Sequence, residues 1–160
     1  MSEAGASDEV VEWVDRAAIC DLIARWSDAS TRGAWDEFEA LSTPDTRWDQ
    51  DPPIDKHLVG ARAITEDVST SLPKLDFFLQ MPHNPVVDLA GPDRATATTM
   101  IHAVGRSKDF SFTNYGIYYD ELTKIDGRWK FAARRLVLVY TDPTPHAGTV
   151  ALSRADIAAI

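Results

Sequence analysis

Between residues 85 and 142 the chain is a succession of four segments, PVVDLAG, RATATTMIHAVGR, FSFTNYGIYYDELTKI and RWKFAARRLVLVYTD. All are rich in β-branched and aromatic residues, and only GPD, SKD and IDG separate the last three from their predecessors. Such side chains suit a pleated surface, and connections this short join antiparallel neighbours. The second half therefore reads as an antiparallel meander. Its apolar face has to be covered, and the first half is what remains to cover it.

That first half carries a different period. Val11, Val14, Ala18, Ile19, Leu22, Ile23 and Trp26 recur at three- and four-residue intervals, the spacing of a helix with one buried stripe, expected to run from about Glu9 to Ser30. Gly33 breaks it, and Trp35, Phe38 and Leu41 give a short second helix before STPD. TRWDQD reads as a short strand, DPPIDKH as a proline-rich connection, and GARAITEDVSTSLPKL as a third helix stopped by Pro73. Helices followed by a meander make an α+β domain, here over residues 9–141. Residues 1–8, small, polar and acidic, read as a frayed, disordered lead-in, and residues 142–160 as a tail ending in SRADIAAI that is either a short docking helix or without fixed structure. At 160 residues, 44% of them hydrophobic and with five Trp and six Phe, the chain can build one substantial core.

Charge excludes several classes of partner. A net charge of −9 with no basic stripe argues against nucleic acid and against anionic membrane surfaces. No stretch approaches the roughly 18 apolar residues of a membrane span, and MSEAGASDEVVEW lacks the basic and apolar regions of a secretory leader, so a cytoplasmic location is expected. Cys20 stands alone in AAICDLIARW and reads as a small core hydrophobe. The histidines at 57, 83, 102 and 146 lack the close spacing of a local zinc motif, and neither a Gly-rich phosphate loop nor a G-x-S-x-G elbow occurs. No metal site and no cofactor are expected.

The order AAICDLIARW, RGAWDEFEAL, TPDTRWD, GARAI, MPHNPVVDL, DRATATTM and YYDELTKIDGRWKFAARRLVL resembles the SnoaL-like branch of the NTF2-like superfamily, which includes scytalone dehydratase, bile-acid dehydratase and lindane dehydrochlorinase. The resemblance covers residues 9–141. It implies a cone-shaped α+β fold, with N-terminal helices packed on a curved, mostly antiparallel sheet that encloses a deep apolar pocket, and a homo-oligomer, dimer or trimer, formed through the broad sheet. The fold itself hosts many chemistries, so function has to come from the residues of the site.

By position, His83 in QMPHNPVV matches the histidine that the dehydratase relatives use as general acid or base, a role suited to a group titrating near neutral pH. Without the resemblance it reads as a loop histidine bonded to backbone. In those relatives an Asp at the end of the first helix orients the histidine, and that position is Thr31, whose hydroxyl carries no charge. Asp28 does not replace it: at about 100° per residue it points away from the sector of Ile23, Trp26 and Ser30. Trp26 and Ser30 face the sheet and read as pocket residues.

His102 in TTMIHAV is a second catalytic candidate, but by resemblance the ungapped count for scytalone dehydratase's second histidine falls on Gly105, so His102 faces inward only across a β-bulge; otherwise it is an interface or solvent-face residue. Asn114, Gly116 and Tyr118 share a face, and a Tyr118 hydroxyl there would either stabilise a developing oxyanion or sit on an ordinary packed aromatic. Trp48 and Gln50 share a parity and read as pocket wall. In RRLVLVY, Arg135 goes with Val137 and Val139, and Arg134 with Leu136 and Leu138; an arginine on the pocket face, taken as Arg135, would bind a carboxylate or enolate.

These readings converge on a cofactor-independent, dehydratase-type lyase acting on a small hydrophobic, cyclic or aromatic, oxygenated molecule, with His83 as acid and base. Isomerisation, polyketide-type cyclisation or retro-aldol cleavage would use the same pocket. The uncharged Thr31 equally fits a non-enzymatic ligand-binding module.

Overall fold

The computed structural model describes residues 3–159. α1 (Glu3–Arg32) and α2 (Trp35–Ala40) form a helical hairpin and β1 (Ser42–Gln50) pairs with β2 (Lys56–Val59). α3 (Ala61–Ser71) and a 3-10 turn (Leu72–Lys74) follow, then β3 (Phe77–Pro82), β4 (Val86–Leu89), β5 (Arg94–Arg106), β6 (Ser111–Ile125), β7 (Arg128–Asp142) and α4 (Arg154–Ala158). The seven strands form one sheet in the order β2-β1-β7-β6-β5-β3, with β4 also on β5, and the helices cover one face. This is the α+β cone expected from the sequence, with the sheet left open.

α1 ends where Gly33 takes a positive φ of 77° and returns its N–H to Ala29 O, the left-handed stop that glycine adopts without strain. Its buried stripe is Asp15, Ile19, Leu22, Ile23, Trp26 and Ser30. Val11 and Val14, expected to begin that stripe, are exposed, because the first turns of α1 lie outside the packed stripe. The helix also starts at Glu3, so most of the expected lead-in is helical; residues 1 and 2 of it lie outside the described residues. At the other end, the short α4 docks on α1 through Arg154, which donates to Ser30 O at 2.9 Å.

Three further departures position the site. β1 is longer than expected, begins inside STPD, and runs parallel to β7 with an irregularity between Ser42 and Arg47. The proline-rich connection continues into a strand, β2. FFLQMP, given no element in the sequence reading, forms β3, which pairs with β5 through Gln80↔Ala103 and Met81↔His102. Two bulges in the β6–β7 pair, at Ala132 and Val139, reset the alternation of β7, so that Arg134, Leu136 and Leu138 face inward between them.

One buried carboxylate ties α1 to the far end of the sheet. Asp15 accepts from Trp129 Nε1 at 2.9 Å and pairs with Lys124 Nζ at 2.6 Å. Burial works to raise its pKa, but the hydrogen bonds from Lys124 and Trp129 and the Lys124 charge outweigh it and hold the group below its ordinary value. A carboxyl whose folded pKa is depressed stabilises the fold above its unfolded value and loses that contribution as pH falls through the folded one. Asp15→Ala should therefore cost about 1–3 kcal/mol at neutral pH, by leaving the Trp129 N–H without its partner, and should flatten the acid limb of a urea-unfolding series. An unchanged pH dependence would count against this role.

Candidate active site

A 370 Å3 cavity lies between the inner face of the sheet and the helices α1 and α3. Its walls are apolar: Phe78, Ile101, Ala103, Phe112, Leu136 and Leu138 come from β3, β5, β6 and β7. Its polar groups are few and come from different elements. Trp48 and Gln50 stand on β1, Lys56 on β2, Asp67 and Ser71 on α3, Gln80 on β3, Asn114 and Tyr118 on β6, and Trp26 and Ser30 on α1.

Two of these are orphaned donors. Tyr118 is 1% exposed and Trp48 9%, both line the cavity, and neither Tyr118 Oη nor Trp48 Nε1 has a hydrogen-bond partner. Buried polar groups are nearly always paired, and leaving one unpaired costs about 1–3 kcal/mol, so a pair of them in one cavity marks a place where a ligand atom belongs. The Tyr118 hydroxyl faces Trp48 and Gln80 without closing a bond of good geometry to either. Gln80 Oε1 accepts from Ser27 Oγ at 3.3 Å. Burial pushes the Tyr118 hydroxyl up, with the Arg134 charge pulling against it, so at neutral pH it is a neutral donor.

Beneath Tyr118 lies a buried ion pair. Arg134 Nε and Nη2 donate to the two oxygens of Asp120 at 2.8 and 3.0 Å, and the side chains are 2% and 0% exposed. The guanidinium carbon sits 4.0 Å from the ring centres of Tyr118 and Phe131 and 4.5 Å from that of Trp26. Burial pushes the Asp120 carboxyl up against the pull of Arg134. At the rim, Lys56 Nζ lies 2.9 Å from both oxygens of Asp67.

A second, wider groove of 650 Å3 runs between the C-terminal tail and the outer side of β3 and β5, where Arg106 holds His146 O and Gly148 O. None of its described lining residues carries an orphaned donor, and the side chains of Arg106 and His146 are both already bonded. The smaller cavity is therefore the candidate site.

The pattern of the SnoaL-like domain matches residues 11–135. The chain belongs to the SnoaL-like family. Its fold is shared by a scytalone dehydratase-like protein of Novosphingobium aromaticivorans, with 21% identity, 86% of this chain and 93% of that chain covered, and a TM-score of 0.77. A hexachlorocyclohexane dehydrochlorinase, LinA type 2, gives 17% identity, 90% and 99% coverage and a TM-score of 0.79. A single-substitution form of Rv3472, a Mycobacterium tuberculosis protein of unknown function, gives 24%, 99% and 89%, and 0.73.

Within this SnoaL-like frame the residues singled out from the sequence divide. Trp26, Ser30, Trp48, Gln50, Asn114 and Tyr118 line the cavity. Ser30 Oγ donates to Trp26 O at 2.8 Å, and Asn114 Oδ1 accepts from Thr141 Oγ1 at 2.7 Å, so both have local partners. Thr31 stands one step behind the wall, its Oγ1 accepting the Gln80 N–H at 3.4 Å.

Three residues lie elsewhere. His83 is exposed on the loop between β3 and β4, outside the cavity lining, with its backbone N–H on Met100 O at 2.8 Å. The residue that β3 presents beside Thr31 is Gln80, three positions earlier. His102 lies on the outer face, stacked on Tyr115 with ring centres 4.4 Å apart, because β5 pairs with β3 and β6 in unbroken register and no bulge turns it inward. Arg135 is exposed and pairs with Asp51 at 2.6 Å, while the inward arginine is Arg134, a consequence of the Ala132 bulge.

Gln80, Asp67, Lys56 and the Asp120–Arg134 pair are not legible as site residues in the sequence. One signal does exist: Asp120 shares the parity of Asn114, Gly116 and Tyr118, and a carboxylate on an apolar inner face requires a buried partner.

Proposed function

We propose that the protein is a cofactor-independent lyase that takes a small, hydrophobic, oxygenated ring compound into this cavity and eliminates water or a similar leaving group from it. The observation that carries the reading is the pair of buried donors, Tyr118 Oη and Trp48 Nε1, left without partners in an otherwise apolar cavity. They suit a carbonyl oxygen whose charge grows as a proton leaves the neighbouring carbon. Family membership and the dehydratase and dehydrochlorinase folds beside it favour elimination over other chemistry.

The proton then has one place to go. Among the cavity-lining residues only Lys56, Asp67 and Tyr118 titrate, and Asp67 is the only carboxylate of the three. That carboxylate takes the proton, the electron pair moves into an enolate held by Tyr118 and Trp48, and the leaving hydroxyl departs with the proton returned from Asp67. Lys56 holds the carboxylate in place. His83, exposed outside the cavity, takes no part in this reading.

A second reading, a ligand-binding module without turnover, is favoured by the uncharged Thr31–Gln80 contact that stands where a charged dyad would be. One experiment separates the two. Purified protein is incubated with a panel of hydroxylated cyclic ketones, and products are followed by mass as loss of water. Asp67→Asn should abolish turnover while ligand still binds, and His83→Ala should leave both unchanged. Binding without any mass change would establish the module, and loss of turnover in His83→Ala would return the role to that residue.

A further inference from the structure

We propose that the outward face of α1, over its first turns, docks a second copy of this chain in an antiparallel two-fold contact separate from the broad sheet. The contact is a property of the surface and does not depend on the chemistry of the cavity.

α1 carries two apolar stripes, and the core uses one of them. Ile19, Ile23 and Trp26 are buried against the sheet. At about 100° per residue, Val10, Trp13, Val14 and Ala17 fall together on the opposite side of the helix, where no shift of α1 along the sheet can bury them. Val10 is 61% exposed, Trp13 66% and Val14 61%. They form a contiguous stripe at the three- and four-residue spacing with which one helix packs on another. Scattered apolar side chains on a surface are ordinary, but a Trp between two Val on one solvent face has the composition of an interface centre, where aromatic anchors carry most of the binding energy.

The charges beside the stripe select the occupant and its direction. Glu9 and Arg16 lie on one flank, about two turns apart. Neither has an ion-pair partner among the described residues, and Arg16 spends only Nη1, on Val87 O. In an antiparallel pair about a two-fold axis near Trp13, Glu9 of one copy lies beside Arg16 of the other and the reverse, so each attraction is made twice. A parallel pair would set Glu9 against Glu9. Asp8 and Glu12 stand on the side of the helix away from the stripe and stay in water. Any other partner would have to supply the same stripe and the same two charges in reverse order, and a second copy supplies both. A single pair of helices puts the contact at the small end of specific interfaces, below about 1,200 Å2 in total, so the dimer should form and dissociate with concentration.

Sedimentation velocity of the full chain over the micromolar range should show a monomer–dimer equilibrium. Trp13→Asp should leave a monomer at every concentration with an unchanged circular dichroism spectrum, because the side chain stands in solvent. Glu9→Arg and Arg16→Glu each bring two pairs of like charges together in the dimer and should weaken it about tenfold or more, whereas the double variant Glu9→Arg with Arg16→Glu should restore the parent's equilibrium. The outer sheet face, where Met100, Tyr115 and Tyr140 are exposed, is the competing contact, and Met100→Asp should leave the equilibrium unchanged. A dimer kept in Trp13→Asp and lost in Met100→Asp would move the contact to the sheet and overturn the proposal, as would a parent that stays monomeric throughout. Single charge variants that weaken the dimer without recovery in the double would overturn the antiparallel arrangement.

Discussion

Asp120→Ala should destabilise the protein by about 3–5 kcal/mol, measured by urea unfolding followed through tryptophan fluorescence, because it strands the Arg134 guanidinium among three aromatic rings without a counter-charge. The size follows from burial. A surface ion pair such as Arg62–Glu66, with both side chains mostly exposed, is worth a few tenths of a kcal/mol. The Asp120–Arg134 pair has no water to replace a lost partner. Two companion variants keep the claim specific. Asp120→Asn preserves shape and one acceptor and should fall between the extremes. The double replacement Asp120→Leu with Arg134→Met removes both charges and should recover most of the loss, since a buried pair replaced by apolar groups of similar volume is often neutral. A single Asp120→Ala variant within about 1 kcal/mol of the parent would show that water reaches the guanidinium and that the pair is not sealed.

The parts of the molecule that are legible in the sequence are those that a local period encodes. The stripe Ile19, Leu22, Ile23 and Trp26 and the alternation of β5 each repeat over enough residues to fix which side is buried, and both are found facing the core. Asp28 likewise points outward, to Arg32. What fails depends on interruptions that leave no local mark. The Ala132 bulge exchanges the faces of Arg134 and Arg135, and nothing in FAARRLVL announces an unpaired residue. β3 escapes notice because Phe77–Pro82 has an irregular burial pattern, and with it goes Gln80, the residue that stands beside Thr31. His83, singled out by its position in QMPHNPVV, lies just past the end of β3 on an exposed loop outside the cavity lining. The ion pairs are illegible for a further reason: Lys56 and Asp67 meet only because β2 and α3 fold against each other across the cavity rim.

Trp26→Ala should cost about 3–5 kcal/mol and should change the ligand site at the same time. The indole is 2% exposed and touches everything that gives the inner face its shape: its ring centre lies 4.1 Å from Phe38, 5.3 Å from Phe131 and 5.9 Å from Trp48. These come from α2, β7 and β1, so the one side chain joins the helical hairpin to two strands, and neighbours drawn from three elements cannot all move in to fill the space it leaves. The same ring also covers Arg134 from the α1 side. Removing it opens the guanidinium to water, and a solvated cation attracts a bound oxyanion far less than one held in a dry floor. Trp26→Phe should restore most of the stability, yet leave a gap beside Arg134. A core role alone would show as a fall in stability with the binding of the hydroxylated cyclic ketones unmoved. The arrangement of rings around the cation requires both to change, with the affinity for hydroxylated cyclic ketones falling alongside stability.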